Sequence, residues 1–267
     1  MVGIGLHSGR PARVRLEPAG FGEGLGLQRW GDPKTRSIVG LDVASAPGGC
    51  STLETSALTL QTVEHLLAAV VALGITDLTI GVDGPELPAL DGSAGPWCGH
   101  LIQAGCVTGP PLSSARVMEP FTLEAHGGRF SMVPHDGLRV EVSLDQGPGL
   151  TGRVAVDLPE PLEGGLFALE RSFARTYVRV QDVGRLRGMG RGRGATPRNT
   201  LLLAEGRSPT CRMPLEPVWH KLVDAVGDLG LLGCPLVGHV TVENGSHALH
   251  QEALKRWWQA QGEAACR

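Results

Sequence analysis

A chain of 267 residues with a net charge of −3 can hold one large domain or two of ordinary size, with ample surface to bury a core. The mildly acidic balance argues against a general nucleic-acid binder, and the longest apolar run, Leu66 to Ile75, falls far short of the ~20 residues that span a bilayer, so no stable membrane insertion is expected. The six cysteines form no C-x-x-C pair in a chain too long to need staples, which reads as reduced thiols and the cytoplasm, and Met1-Val2-Gly3 runs into Gly5-Leu6-His7 without a basic and apolar leader.

From Val2 to Val43, short apolar stretches such as Ala12-Arg13-Val14-Arg15-Leu16 alternate with Gly and Pro, the pattern of β-strands and turns. Gly3, Gly5 and Gly9 flank His7 and suggest a turn where the backbone approaches a neighbour. At Gln61 the period changes. Thr62 is the expected N-cap of an apolar helix, Leu66 to Leu73, that Gly74 ends. A strand (Asp77 to Val82), a loop (Gly84 to Pro88) and a second helix beginning near Asp91-Gly92-Ser93 follow, and Thr108 to Ser114, with two prolines, is the natural linker.

Tyr177 to Thr200 keeps an apolar rhythm in Val178, Val180, Val183, Leu186 and Met189 among Arg179, Arg185, Arg187, Arg191, Arg193 and Arg198. Arg191-Gly192-Arg193-Gly194 resembles an RNA-binding tract, but one short tract in an acidic chain reads as a solvated or phosphate-facing insert. Read as a helix, Val218 to Asp228 places His220, Asp224 and Asp228 on one polar stripe, backed by Leu222, Val223, Val226 and Leu229. A strand (Gly238 to Glu243), then Ser246-His247 and a terminal helix (Ala248 to Gln259) close the chain.

The order helix, strand, Gly-Ser, helix occurs in both halves, and His65 to Ser93 nearly matches His220 to Ser246 in length. The expected fold is α+β: two similar layered helix-and-sheet domains, 1–110 and 111–267, with the active site at their interface. His220 and Asp224 have the i, i+4 spacing that lets both reach one ion, and His65 follows Glu64 at the start of the other helix. Three nitrogen and oxygen ligands plus an adjacent Glu are what a hydrolytic zinc centre needs, so Zn²⁺ is the expected cofactor.

Thr62-Val63-Glu64-His65-Leu66, Pro85 to Ala94, Ala174-Arg175-Thr176-Tyr177, His220 to Asp228 and Ser246-His247-Ala248-Leu249 together resemble the LpxC family, UDP-3-O-acyl-N-acetylglucosamine deacetylase, the zinc enzyme that commits bacteria to lipid A synthesis. The resemblance implies His65, His220 and Asp224 as metal ligands, Glu64 as general base, and His247, held by Asp228, as oxyanion stabiliser or acid. It implies Thr176 on the oxyanion, Lys221 on the nucleotide diphosphate, Tyr177 stacked on uracil and Asp182 near the nucleotide. The insert, with Val180, Val183 and Leu186, would enclose the acyl chain of an acylated UDP-sugar, and the protein would act as a monomer.

Against the family pattern, Lys-Ser-Gly-His becomes Asn244-Gly245-Ser246-His247 and Ala-Leu-Asn becomes Ala248-Leu249-His250. The family also begins with a β-strand before the Gly-Leu-His turn at which this chain starts, so the next strand is expected to present an open edge. The alternatives are an amidohydrolase of the same fold acting on another nucleotide sugar, or a catalytically silent nucleotide-sugar-binding protein. An intact Glu64, His247 and Asp228 speak against the silent reading, because binding alone needs none of them.

Overall fold

The computed structural model describes residues 1–110, 113–159, 165–205 and 207–261. The first half contains β1 (Val2–Ile4), β2 (Pro11–Pro18), β3 (Leu25–Arg29), β4 (Asp32–Ile38), β5 (Ala44–Ser45), β6 (Thr52–Glu54), β7 (Thr59–Gln61), α1 (Glu64–Ala72), β8 (Leu78–Asp83) and α2 (Gly95–Ala104). The second contains β9 (Ala115–Arg116), β10 (Phe121–Ala125), β11 (Gly128–Val133), β12 (Leu138–Asp145), β13 (Thr151–Leu158), α3 (Leu166–Leu169), β14 (Tyr177–Arg179), α4 (Val180–Gly188), β15 (Leu201–Leu203), α5 (Glu216–Leu229), β16 (Leu236–Glu243) and α6 (His247–Gln261). The linker reading at Thr108 to Ser114 falls partly on 111–112, and Cys266 in the chain's last residues, both outside the described residues.

The two main sheets share one plan. In the first the order is β1-β2-β8-β3-β4, and in the second β10-β11-β16-β12-β13 with β9 added beside β16. The central strand is parallel to one neighbour, β8 to β3 and β16 to β12, and antiparallel to the other, β2 and β11. Both central strands follow a helix whose connection crosses over from elsewhere in the chain, as parallel pairing requires. Alternation in β12 and β16 turns every second residue, among them Val140, Val142, Val240 and Val242, onto α5 and α6. A small three-stranded sheet, β5-β6-β7, leads into α1.

Two expectations about local structure are corrected here. Val2–Ile4 does form a strand, paired antiparallel with Pro11–Arg13, so the outer edge of β2 is covered over that stretch. Thr62 does not cap α1: it lies at φ +60 with its hydroxyl donating to Glu86, and Val63 occupies the cap position. Gly74 ends the helix as expected, at φ +65, with the Ile75 N–H returning to the Val70 carbonyl at 3.0 Å.

Helices α1 and α5 are buried on nearly every side; α5 belongs to the second sheet's core, and α1 to the first sheet's except for Ala68 and Ala72, which join the second. They meet with almost no side chain between them. A Cβ on Gly227 would overlap the backbone carbonyl of Glu64, and one on Gly230 would lie 3.1 Å from Val71 and 3.2 Å from Leu67. Gly227→Ala must therefore push the helices apart. Overpacking costs about 1–3 kcal/mol, so the melting temperature is expected to fall by roughly 2–12 °C at 2–4 °C per kcal/mol. An unchanged calorimetric midpoint would show that α5 can slide without penalty.

Candidate active site

The close approach of α1 and α5 brings Glu64 and His65 against three successive turns of α5, bearing His220, Asp224 and Asp228, with His247 arriving on the first turn of α6. All six side chains are buried. Asp224 Oδ1 lies 3.3 Å from His220 Nε2 and 3.9 Å from His65 Nε2, and the two imidazoles stand edge to face at 5.1 Å between centroids. One ligand atom from each of the three residues lies within 4.8 Å of the others.

This set suits a divalent cation. His220 donates from Nδ1 to the Ala174 carbonyl at 3.1 Å, which fixes the tautomer and turns the Nε2 lone pair toward Asp224. Burial, then His220, pushes His65 down to about 3, and burial also lowers His220, so both rings are neutral and able to ligate. Burial works against the charge of Asp224, but the neighbouring cations Lys221 and His247 outweigh it and hold the carboxylate well below its usual range. Among the described residues the arrangement joins two neutral imidazoles and one carboxylate without a closing fourth residue, the donor set of a catalytic zinc site.

A second network lies beside it. Asp228 Oδ2 accepts from His247 Nδ1 and His250 Nδ1, each at 2.7 Å, and Oδ1 accepts from the Ser51 hydroxyl. Gln251 Nε2 donates to the same Ser51 oxygen at 2.8 Å. Asp228, His247 and His250 are also close enough to share an ion, but their Nδ1 atoms are spent as donors to the carboxylate. Burial disfavours a charged His247, yet Asp228, Glu64 and Asp224 outweigh it and raise the imidazole to about 9. Burial raises Glu64 to about 7, with His247 opposing and Asp224 adding to the shift. Glu64 Oε2 accepts from the Ser51 N–H at 3.1 Å, and Oε1 stands 3.7 Å from His247 Nε2. A base that can be emptied near neutrality therefore faces an acid that stays filled above it, the pairing that acid–base catalysis uses.

The segment covering the metal set is anchored by a buried ion pair. Arg175 donates from its backbone N–H and Nε to Glu216 Oε1, at 3.1 and 2.8 Å, and from Nη2 to Oε2 at 3.2 Å. This fastens the chain before β14 to the start of α5 and so presents Ala174 to His220. Thr176 is held by its backbone between Gly92 and Leu201, and the Tyr177 ring meets His220 edge-on at 6.1 Å. Both line a cavity of about 280 Å³ with His7, Val178, Val183, Leu186, Leu202, Arg187 and Arg191.

Val183 and Leu186 thus lie where the sequence places the apolar wall. Val180 does not: at the first turn of α4 it is 49% exposed and outside the lining, its part taken by Val178 and Leu202. Asp182 is held on α4 by Arg179 and Arg185, at 2.9 and 3.2 Å. Lys221 is partly buried, and its ammonium donates to Asp224 Oδ2 at 2.8 Å; desolvation works against its charge, but Asp224 and Tyr177 raise it. In this structure its ammonium is turned to Asp224.

Sequence reasoning missed Ser51, Gln251 and the joining of His250 to Asp228. Ser51 and Asp228 are 177 residues apart, and nothing local in Gly48-Gly49-Cys50-Ser51 marks the contact. In the sequence Glu86 stands only as part of a motif, but it is 1% exposed and accepts from the N–H groups of His7 and Ser8 at 2.8 and 2.7 Å, fixing the glycine turn at the cavity. Cys50, Cys106 and Cys211 are free thiols, and among the described residues no helix is long and apolar enough to cross a membrane.

A sequence model described as LpxC: UDP-3-O-acyl N-acetylglycosamine deacetylase matches residues 1–259. The chain is 36% identical to proteins named UDP-3-O-acyl-N-acetylglucosamine deacetylase from Brucella melitensis biotype 2 (strain ATCC 23457), Brucella ovis and Brucella abortus (strain 2308), each over 262 residues covering 95% of this chain and 90% of the relative. With a match of that extent over a chain in which Glu64, His65, His220, Asp224, Asp228 and His247 converge, this protein belongs to the LpxC family of deacetylases.

Proposed function

We propose that this chain hydrolyses the acetamide of UDP-3-O-acyl-N-acetylglucosamine, releasing acetate in the committed step of lipid A synthesis, with Zn²⁺ held by His65, His220 and Asp224. The observation that carries the reading is the convergence of that donor set with Glu64 and His247 beside one apolar cavity. A zinc ion bound there supplies Lewis-acid polarisation of the acetamide carbonyl. Glu64 takes a proton from the attacking water, and charged His247, aimed by Asp228, stabilises the oxyanion and gives a proton to the leaving amine. Thr176, in the cavity's lining, adds a hydroxyl for the oxyanion, and Lys221 keeps Asp224 ionised.

Val183, Leu186, Val178 and Leu202 form the wall for the acyl chain, worth about 0.8 kcal/mol per buried CH₂, and Tyr177 offers a face for the uracil. Asp182 orders Arg179 and Arg185 near the nucleotide. The matched sheet orders support two domains, 1–110 and 111–267, with the site between them. The protein works as a cytoplasmic monomer.

Acetate release from the acylated and unacylated nucleotide sugars, with metal content measured on the same preparation, tests the reading. The acylated substrate is expected to have the higher kcat/KM by at least about tenfold, since two buried methylenes already supply that factor. Equal kcat/KM for both substrates would move the assignment to an amidohydrolase acting on a different nucleotide sugar.

A further inference from the structure

We infer that His250 is a positioning residue for this reaction: a neutral imidazole that, with Ser51, fixes the Asp228 carboxylate so that it aims His247, in space that Gly245 leaves open. The inference rests on the roles proposed for His247 and Asp228. His247, His250 and Gln251 lie at i, i+3 and i+4 on α6 and share one face. That face meets Asp228, which is fully buried, and Asp228 Oδ2 receives the two Nδ1–H donors at equal distances of 2.7 Å.

A carboxylate held by His247 alone could turn about its Cβ–Cγ bond and carry the imidazole with it. The second imidazole and the Ser51 hydroxyl remove that freedom, because three donors, two from α6 on Oδ2 and one from the segment before β6 on Oδ1, now hold its two oxygens. The tautomer follows from burial. His250 is 1% exposed and its Nε2 has no hydrogen-bond partner among the described residues. A charged ring would bury an N–H without an acceptor, so the ring stays neutral with its single proton on Nδ1, where Asp228 accepts it.

Gly245 is the other half of the device. A Cβ there would stand 2.5 Å from His250 Nε2 and would also crowd Val242, so a side chain at 245 displaces the ring from Asp228. His250 does not line the cavity. Its effect should therefore appear in kcat and not in KM.

The test compares His250→Leu, His250→Asn, Gly245→Ala and the double variant Gly245→Ala/His250→Asn, reading kcat, KM and zinc content, with His247→Ala as reference. His250→Leu is expected to lower kcat about 10-fold or more, as loss of an outer hydrogen-bond partner does, with KM and zinc unchanged. His250→Asn, which keeps an N–H donor, should recover most of the loss. Gly245→Ala should harm turnover more in the presence of His250 than in the Asn background. Wild-type kcat in His250→Leu, an Asn variant no better than Leu, or a kcat loss matched by zinc loss would each overturn the inference. If His247→Ala itself left kcat unchanged, the proposed catalytic roles would fail instead; if it abolished turnover while His250→Leu did nothing, only the positioning role would fall.

Discussion

Glu64→Gln is expected to lower kcat about 10²- to 10⁴-fold, the usual contribution of a positioned general base, while zinc content and fold are retained. The amide keeps the shape and its oxygen can still accept from the Ser51 N–H, but it cannot take a proton. Glu64 is not among the three residues of the metal set, so metal retention separates this variant from a ligand variant. The pH profile gives an independent check. Glu64 must be deprotonated, and burial places it at about 7, so activity falls as pH drops through that region. A cation bound next to it favours the carboxylate and moves this limb lower. His247 must be protonated, and with its value at about 9 activity falls again as pH rises through that value. The Glu64→Gln variant should lose the acid limb and keep the basic one. Unaltered kcat, or an acid limb that persists in that variant, would remove Glu64 from the mechanism.

His220→Ala is expected to abolish measurable turnover and to strip the zinc during purification. Its ring is one of the three proposed ligands, and its Nδ1–H ties the set to Ala174 at 3.1 Å, so the substitution removes both the ligand and its support. The remaining His65 and Asp224 are too few to hold a catalytic zinc, which takes three protein ligands. Lys221 would then pair with an Asp224 whose other oxygen has lost its imidazole. Metal analysis and acetate release on the same protein decide the matter; full turnover by zinc-free His220→Ala would sink the assignment.

What the sequence made legible was governed by local periodicity. The polar stripe His220, Asp224, Asp228 is a property of one helix, and the Glu64-His65 pair opens another, so the residues that converge could be named without knowing how the helices meet. The repeat of helix, strand and helix likewise announced a duplicated plan. What local pattern could not reveal was the partner of each group. Lys221 reads as a cation for a phosphate until packing sets it on Asp224. Val180 shares the apolar rhythm of Val183 and Leu186, but it begins α4 and faces outward. Thr62 has the composition of a cap, and Glu86 claims its hydroxyl instead. Ser51 lies in a Gly-rich turn with no periodicity at all, and its importance comes entirely from tertiary contact.

Ser51 and Asp228 are 177 residues apart, and Ser51 and His247 are 196. Closing loops of that length costs chain entropy that no local helix formation can offset, so such contacts form only when long-range docking is nearly complete. A refolding chain can therefore regain its helical signal well before it regains the site. With the proposed ligands drawn from both α1 and α5, zinc affinity becomes a clock for the last stage of assembly rather than for secondary structure.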